Sequence, residues 1–137
     1  MTGPARPPVT QVRVRYEDVD MGGIVYYANY LRYIERARSD WVRGLGIDQM
    51  ALREAGLVFA VRRVEADYVA PARFDDLLDV TCAPIAATPA RAVLAQEVRR
   101  SDEILFRARV TVVAMSPEGR PLRLPADIRH GSKSCEP

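Results

Sequence analysis

The segment DVDMGGIVYYANY, residues 18–30, sets Asp18, Asp20, Gly22 and Gly23 directly ahead of the strongest helical pattern in the chain. A helix start presents unpaired N–H groups and the positive end of its dipole. Glycine lets the preceding backbone take positive φ or approach a ligand closely. A carboxylate beside such donors can attack a carbonyl or activate water while the amides stabilise the oxyanion that forms. A thioester suits so modest an apparatus, because its carbonyl is more electrophilic than that of an ester or amide.

Two plainer readings compete for the same residues. Asp18 or Asp20 could cap the helix or complement its dipole, an effect of about 1 kcal/mol, and caps far outnumber catalytic acids. Asp18, Asp20 and Gly23 also match positions one, three and six of a calcium-binding loop. That pattern fails at position twelve, where Asn29 replaces the bidentate glutamate, and no helix precedes Asp18.

Other chemistries are limited by what the chain lacks. His130 is the only histidine, so a Ser-His-Asp or Cys-His site would have to recruit that ring, and a histidine-based zinc site has too few ligands. Cys82 and Cys135 show neither a disulfide framework nor metal spacing. No metal and no cofactor is expected.

The elements that must position the acids follow from periodicity. Residues 9–16 alternate Val12, Val14 and Tyr16 against Gln11, Arg13 and Arg15, which predicts a strand. Tyr27, Tyr30, Leu31, Ile34, Ala37, Trp41, Val42 and Leu45 recur at helical spacing, with Gly44 and Gly46 as the stop. Glu35 falls on the opposite stripe with Arg32, Arg36 and Arg38, which reads as solvated. Residues 48–56 predict a short second helix with Asp48 as its N-cap. Segments 57–69, 77–87, 91–100 and 104–115 read as strands divided by short turns. Short links imply an antiparallel sheet, and one long apolar-faced helix has only that sheet to cover it. The expected class is α+β, a curved sheet wrapped round a single helix.

With 137 residues, the chain fits one domain, expected over 9–130, with a disordered arm at 1–8 and a tail at 131–137. Twenty basic and 18 acidic residues give a net charge of +2 without a basic stripe, which argues against nucleic acid. No apolar run is long enough for a transmembrane segment, and the start lacks a signal-peptide core, so a cytoplasmic protein is expected.

The run YEDVDMGGIVYYANYLRYIERARSDWVRGLG resembles the signature of the 4-hydroxybenzoyl-CoA thioesterase superfamily, whose fold is the hot dog. Within it the chain is most similar to the Tol–Pal-associated acyl-CoA thioesterase family. The likeness continues through DQMALREAGLVFAVRRVEADYVAPARFDDLLDV, AQEVRR and RPLRLPADIR, about residues 10–129. The resemblance implies hydrolysis of an acyl-CoA to a carboxylic acid and free CoA, with Asp20 as nucleophile or general base. It implies a structural role for Asp18, an oxyanion-binding N–H on Tyr27, and Gly23 as the residue that folds the loop against substrate. Many relatives carry histidine where this chain has Tyr27, a change that keeps the backbone donor.

By the same resemblance, Arg91 is the nearest candidate for CoA phosphate, and Phe59 and Val61 would shape the acyl tunnel. A homodimer or homotetramer is implied, with sites between subunits. The alternatives are a thioesterase acting on acyl carrier protein, and a non-catalytic acyl-CoA-binding or scaffold protein.

Overall fold

The computed structural model describes residues 9–129. The arm at 1–8, His130 and the tail at 131–137 lie outside the described residues. In chain order the elements are β1 (Val9–Arg13), a 3-10 turn (Tyr16–Asp18), α1 (Asn29–Gly44), α2 (Gln49–Glu54), β2 (Val58–Tyr68), β3 (Leu77–Thr81), β4 (Ala83–Ala87), β5 (Ala92–Arg100), β6 (Glu103–Met115) and β7 (Pro121–Leu122).

The strands form one antiparallel sheet in the order β1-β3-β5-β6-β2, with β4 on β5 and β7 on β6. This is the expected α+β hot-dog arrangement. Leu94 and Val98 of β5 and Phe106 and Val110 of β6 point inward, are at most 1% exposed and lie in one core with the apolar stripe of α1. Of the predicted stripe α1 buries Tyr30, Ile34, Ala37, Trp41 and Val42; it also buries Tyr33, which the stripe did not include, while Tyr27 precedes the helix and is exposed. No helix among the described residues is long and apolar enough to cross a membrane.

Four local expectations are corrected. The first strand ends at Arg13 rather than residue 16, because Tyr16 enters the 3-10 turn and leaves its ring exposed. The run 77–87 divides at Cys82 into β3 and β4, and Pro84, which has no ladder donor, sits beside a register shift in β4. Leu31 is exposed although it shares a helix flank with the buried Val42, because the flank is covered only toward the C-terminal end of α1.

Arg38 is the fourth. It is half-buried rather than solvated, and its guanidinium donates at 3.0 Å to Oε1 of Gln96, a fully buried residue. Burial lowers the Arg38 pKa. Gln96 also donates through Nε2 to the Ile34 carbonyl at 2.7 Å, so one buried amide ties β5 to the middle of α1.

Gly46 at φ 85° and Gly56 at φ 94° close the two helices. Asp48 caps α2 by accepting from the amides of Met50 and Ala51, as the sequence predicts.

Candidate active site

The segment between the 3-10 turn and α1 is a small folded-back loop. Val19 and Val25 form an antiparallel bridge, Asp20 N–H donates to the Ile24 carbonyl at 2.9 Å, and Gly23 N–H donates to the Asp20 carbonyl at 3.0 Å. Gly23 closes this turn at φ 78°, where a side chain would be strained. Gly22 serves differently. A Cβ there would stand 3.2 Å from Oδ1 of Asp20, so its absence leaves room for the carboxylate.

The Asp20 carboxylate is exposed and lines an open groove with Tyr16, Val19, Met21, Gly23 and Phe74. Among the described residues its one hydrogen bond is at Oδ1, which accepts from Gly22 N–H at 2.8 Å. The other oxygen is open to the groove. Asp18 has a different environment: its Oδ2 accepts from Arg15 N–H, and its carbonyl accepts from Tyr26 N–H and from the Asn29 side-chain amide, both at 2.9 Å. Asp18 therefore ties the loop to the helix start.

Neither acid caps α1. The N-cap is Ala28, which offers no side-chain acceptor, and the first turn holds no acidic residue. Tyr26 N–H is engaged by Asp18 and Asn29 N–H by the Tyr26 carbonyl. Between them, the amides of Tyr27 and Ala28 donate to no acceptor among the described residues. A helix start with two open donors can receive a negatively charged oxygen.

An aromatic cluster backs this segment. The Tyr30 ring stacks on Phe106 at 5.0 Å between centroids, and Tyr68 meets Phe106 edge-on at 5.0 Å. Tyr30 accepts from Ala72 N–H at 3.0 Å, while the Tyr68 hydroxyl donates to the Tyr27 carbonyl at 3.0 Å. Burial pushes the Tyr30 and Tyr68 phenols up. Burial, and then the adjacent Asp18 carboxylate, push the Tyr33 phenol up, although its hydroxyl meets no acceptor at hydrogen-bonding geometry.

The six residues singled out from the sequence fall in two places. Asp20, Gly23 and Tyr27 gather at the start of α1. Asp20 faces one groove and Tyr27 an adjoining one, with Gly23 and Ile24 between them. Phe59 and Val61 line a separate cavity of about 360 Å³ beside the second half of α1, together with Trp41, Leu94 and Val112. Arg91 is exposed in the turn before β5 and makes no ion pair among the described residues. Val61 pairs with Val112 and Tyr68 with Phe106, so along β6 the groups stand about 20 Å apart at roughly 3.4 Å per residue.

The thioesterase superfamily matches residues 22–107. The acyl-CoA thioester hydrolase YbgC of Escherichia coli O6:H1 is 37% identical over 119 residues, 85% of this chain and 89% of that protein. The chain belongs to this family. The acyl-CoA thioesterase YbgC of Haemophilus influenzae is 36% identical over 120 residues, 86% of this chain and 88% of its own length. Among solved structures, a probable thioesterase from Bartonella henselae superposes with a TM-score of 0.84 at 33% identity, covering 88% of this chain and all of that one. The expected enzyme class, a thioester hydrolase, holds with the family.

For a member of the thioesterase superfamily, three further residues at the helix start matter that sequence reasoning did not single out. Tyr68 closes a strand whose alternation gave no sign of a long-range hydroxyl contact. Asn29 was weighed only as a failed calcium ligand, whereas its amide bridges helix and loop. Arg73 lies across from Ile24 in an isolated antiparallel bridge, bringing an exposed cation beside the acid loop from a segment that reads as a bend.

Proposed function

We propose that this chain is an acyl-CoA thioesterase in which Asp20 supplies the carboxylate and the α1 start supplies the oxyanion donors. The Asp20 carboxylate attacks the thioester carbonyl, or takes a proton from the water that does. Negative charge moves onto the acyl oxygen, where the open N–H of Tyr27 stabilises it. Collapse expels the CoA thiolate, which takes up a proton; where Asp20 itself attacked, water then hydrolyses the acyl–Asp20 anhydride, releasing the carboxylic acid and restoring the carboxylate. The sum is one water consumed, one carboxylic acid and one CoA thiol released.

The observation that carries this reading is an acid that does not serve as a cap, next to a helix start that has none. Oδ1 of Asp20 serves the loop through Gly22 N–H, but a purely structural loop has no use for a second carboxylate oxygen and two amides that lack partners among the described residues. The relatives named as acyl-CoA thioester hydrolases support CoA as the carrier, and Gly23 supplies the turn that keeps Asp20 in its groove.

The separation of Asp20 from Phe59, Val61 and Arg91 supports a site completed by a second subunit. β2 is an edge strand, and all seven residues from 62 to 68 are exposed. A long, bare edge needs cover. We place the homodimer there, with the partner contributing to the acyl pocket and Arg91 meeting CoA phosphate at its rim.

Asp20→Asn tests the mechanism directly. The asparagine oxygen can still accept from Gly22 N–H, so the loop should persist while the attacking or basic group is lost. Hydrolysis of a panel of acyl-CoAs should fall by at least about a hundredfold at unchanged oligomeric state. Wild-type turnover in a folded variant would refute the assignment. Acyl carrier protein thioesters assayed in parallel decide the carrier, and tight acyl-CoA binding without turnover in the wild type would identify a binding protein.

A further inference from the structure

The carbonyl of Tyr27 lies just outside α1 and is not part of its ladder, because Leu31 N–H donates instead to the Ala28 carbonyl at 3.2 Å. Its partner is the hydroxyl of Tyr68, 41 residues away at the end of β2. That hydroxyl is aimed by its ring. Tyr68 is wedged against Phe106 and Tyr30, at 5.0 and 5.4 Å, and also meets Tyr27 at 6.3 Å. Because β2 and β6 pair Tyr68 with Phe106, the sheet itself sets where the hydroxyl stands.

Three bonds then define the geometry of residues 26–28. Asp18 holds Tyr26 N–H, the Tyr26 carbonyl holds Asn29 N–H, and Tyr68 holds the Tyr27 carbonyl. The second fixes the peptide that carries Tyr27 N–H, and the first fixes the peptide before it. The third fixes the next peptide, which carries Ala28 N–H, and so sets the angle between the two open donors.

We propose that Tyr68 is a positioning residue for thioester hydrolysis, its hydroxyl anchoring the Tyr27 carbonyl so that the Tyr27 and Ala28 amides converge on one oxygen. This rests on the assignment of the oxyanion donors made above. The anchor acts on the transition state, where the oxygen is charged, and much less on the neutral substrate. Its phenol is pushed upward by burial from an already alkaline value, so it remains a donor throughout the neutral range.

The test is a set of three single variants assayed with the same acyl-CoA. Tyr68→Phe keeps the ring and its packing and removes only the anchor. The expected result is a fall in kcat of about tenfold, part of what loss of a whole oxyanion donor produces, with KM within twofold and Tm nearly unchanged. Tyr30→Phe is the matched control. It removes a hydroxyl from the same cluster, one that serves Ala72 rather than the helix start, and should lower Tm while leaving kcat alone. Wild-type kcat in Tyr68→Phe overturns the proposal, and so does an equal fall in both tyrosine variants, which would trace the loss to packing. Asp20→Asn separates the two levels. If Asp20→Asn is inactive and Tyr68→Phe is normal, only the anchor fails; if Asp20→Asn is active, the underlying mechanism fails.

Discussion

The two ends of α1 obey opposite rules. At its start there is no side-chain cap, two backbone amides are open, and Asp20, Tyr26 and Tyr27 stand exposed. Over its second half Ala37, Trp41 and Val42 are at most 5% exposed, and even the polar Gln96 beneath the helix has its oxygen and nitrogen engaged. Unpaired amides inside a core would be costly. At a surface groove they keep their hydrogen-bonding capacity for a ligand. One helix thus separates chemistry from stability along its length, and changes at one end should register in rate, at the other in melting temperature.

Asp20→Asn should give the largest effect and the sharpest contrast: activity falls by two orders of magnitude or more, while Tm stays near wild type. A large drop in Tm would show that the acid also holds the loop together, and would blur the division.

Trp41→Ala is the converse. Removing a buried indole should destabilise by about 3–5 kcal/mol, read by denaturant unfolding. Because Trp41 also lines the cavity of Phe59 and Val61, any change in activity well below the melting transition should appear in KM and acyl preference rather than in kcat. Should kcat collapse while the protein remains folded, the packed end takes part in the chemistry and the comparison breaks.

Gly23→Ala sits between these extremes. At φ 78° an alanine costs about 1–2 kcal/mol in the loop, although nothing lies within 4 Å of the added methyl. Activity should fall several-fold through displacement of Asp20, with a modest loss of Tm. In Gly22→Ala, by contrast, the added carbon presses on Oδ1 of Asp20 at 3.2 Å. There the rate should fall with almost no change in stability.

The smallest effect is in pH. Tyr30 and Tyr33 have phenols pushed up by burial in the fold. Their stabilisation is fully present below the unfolded phenol pKa of about 10. Above it the unfolded chain releases these protons and the folded chain keeps them, so stability declines as pH rises. Tm measured from pH 8 to 11, alongside tyrosinate absorbance, should show late-titrating phenols and a falling Tm. A flat Tm would mean the buried rings contribute no such linkage.

Much of the site was legible because the acids, the glycines and the helix start lie within about a dozen consecutive residues, where spacing translates directly into proximity. Gly23 was readable for its turn and Trp41 for its place in the stripe. Arg38 was not, since a helical wheel gives the face of a residue but not that a buried amide on β5 waits beside it. Tyr68 was invisible for the same reason: its hydroxyl contact spans 41 positions.

Local order in the chain, then, determined the periodicity of α1, the cap of α2, the stops of both helices, the antiparallel strands and the placing of Asp20 before a helix. Those properties follow from backbone preferences and from apolar residues recurring at 2.0 or 3.6 positions. Only the folded chain decided that neither aspartate caps α1, that Tyr68 reaches the Tyr27 carbonyl, and that Phe59, Val61 and Arg91 stand away from Asp20. The first follows from the loop folding back on itself at Val19 and Val25; the other two depend on strand register, which is set by how distant segments bury one another rather than by any segment alone.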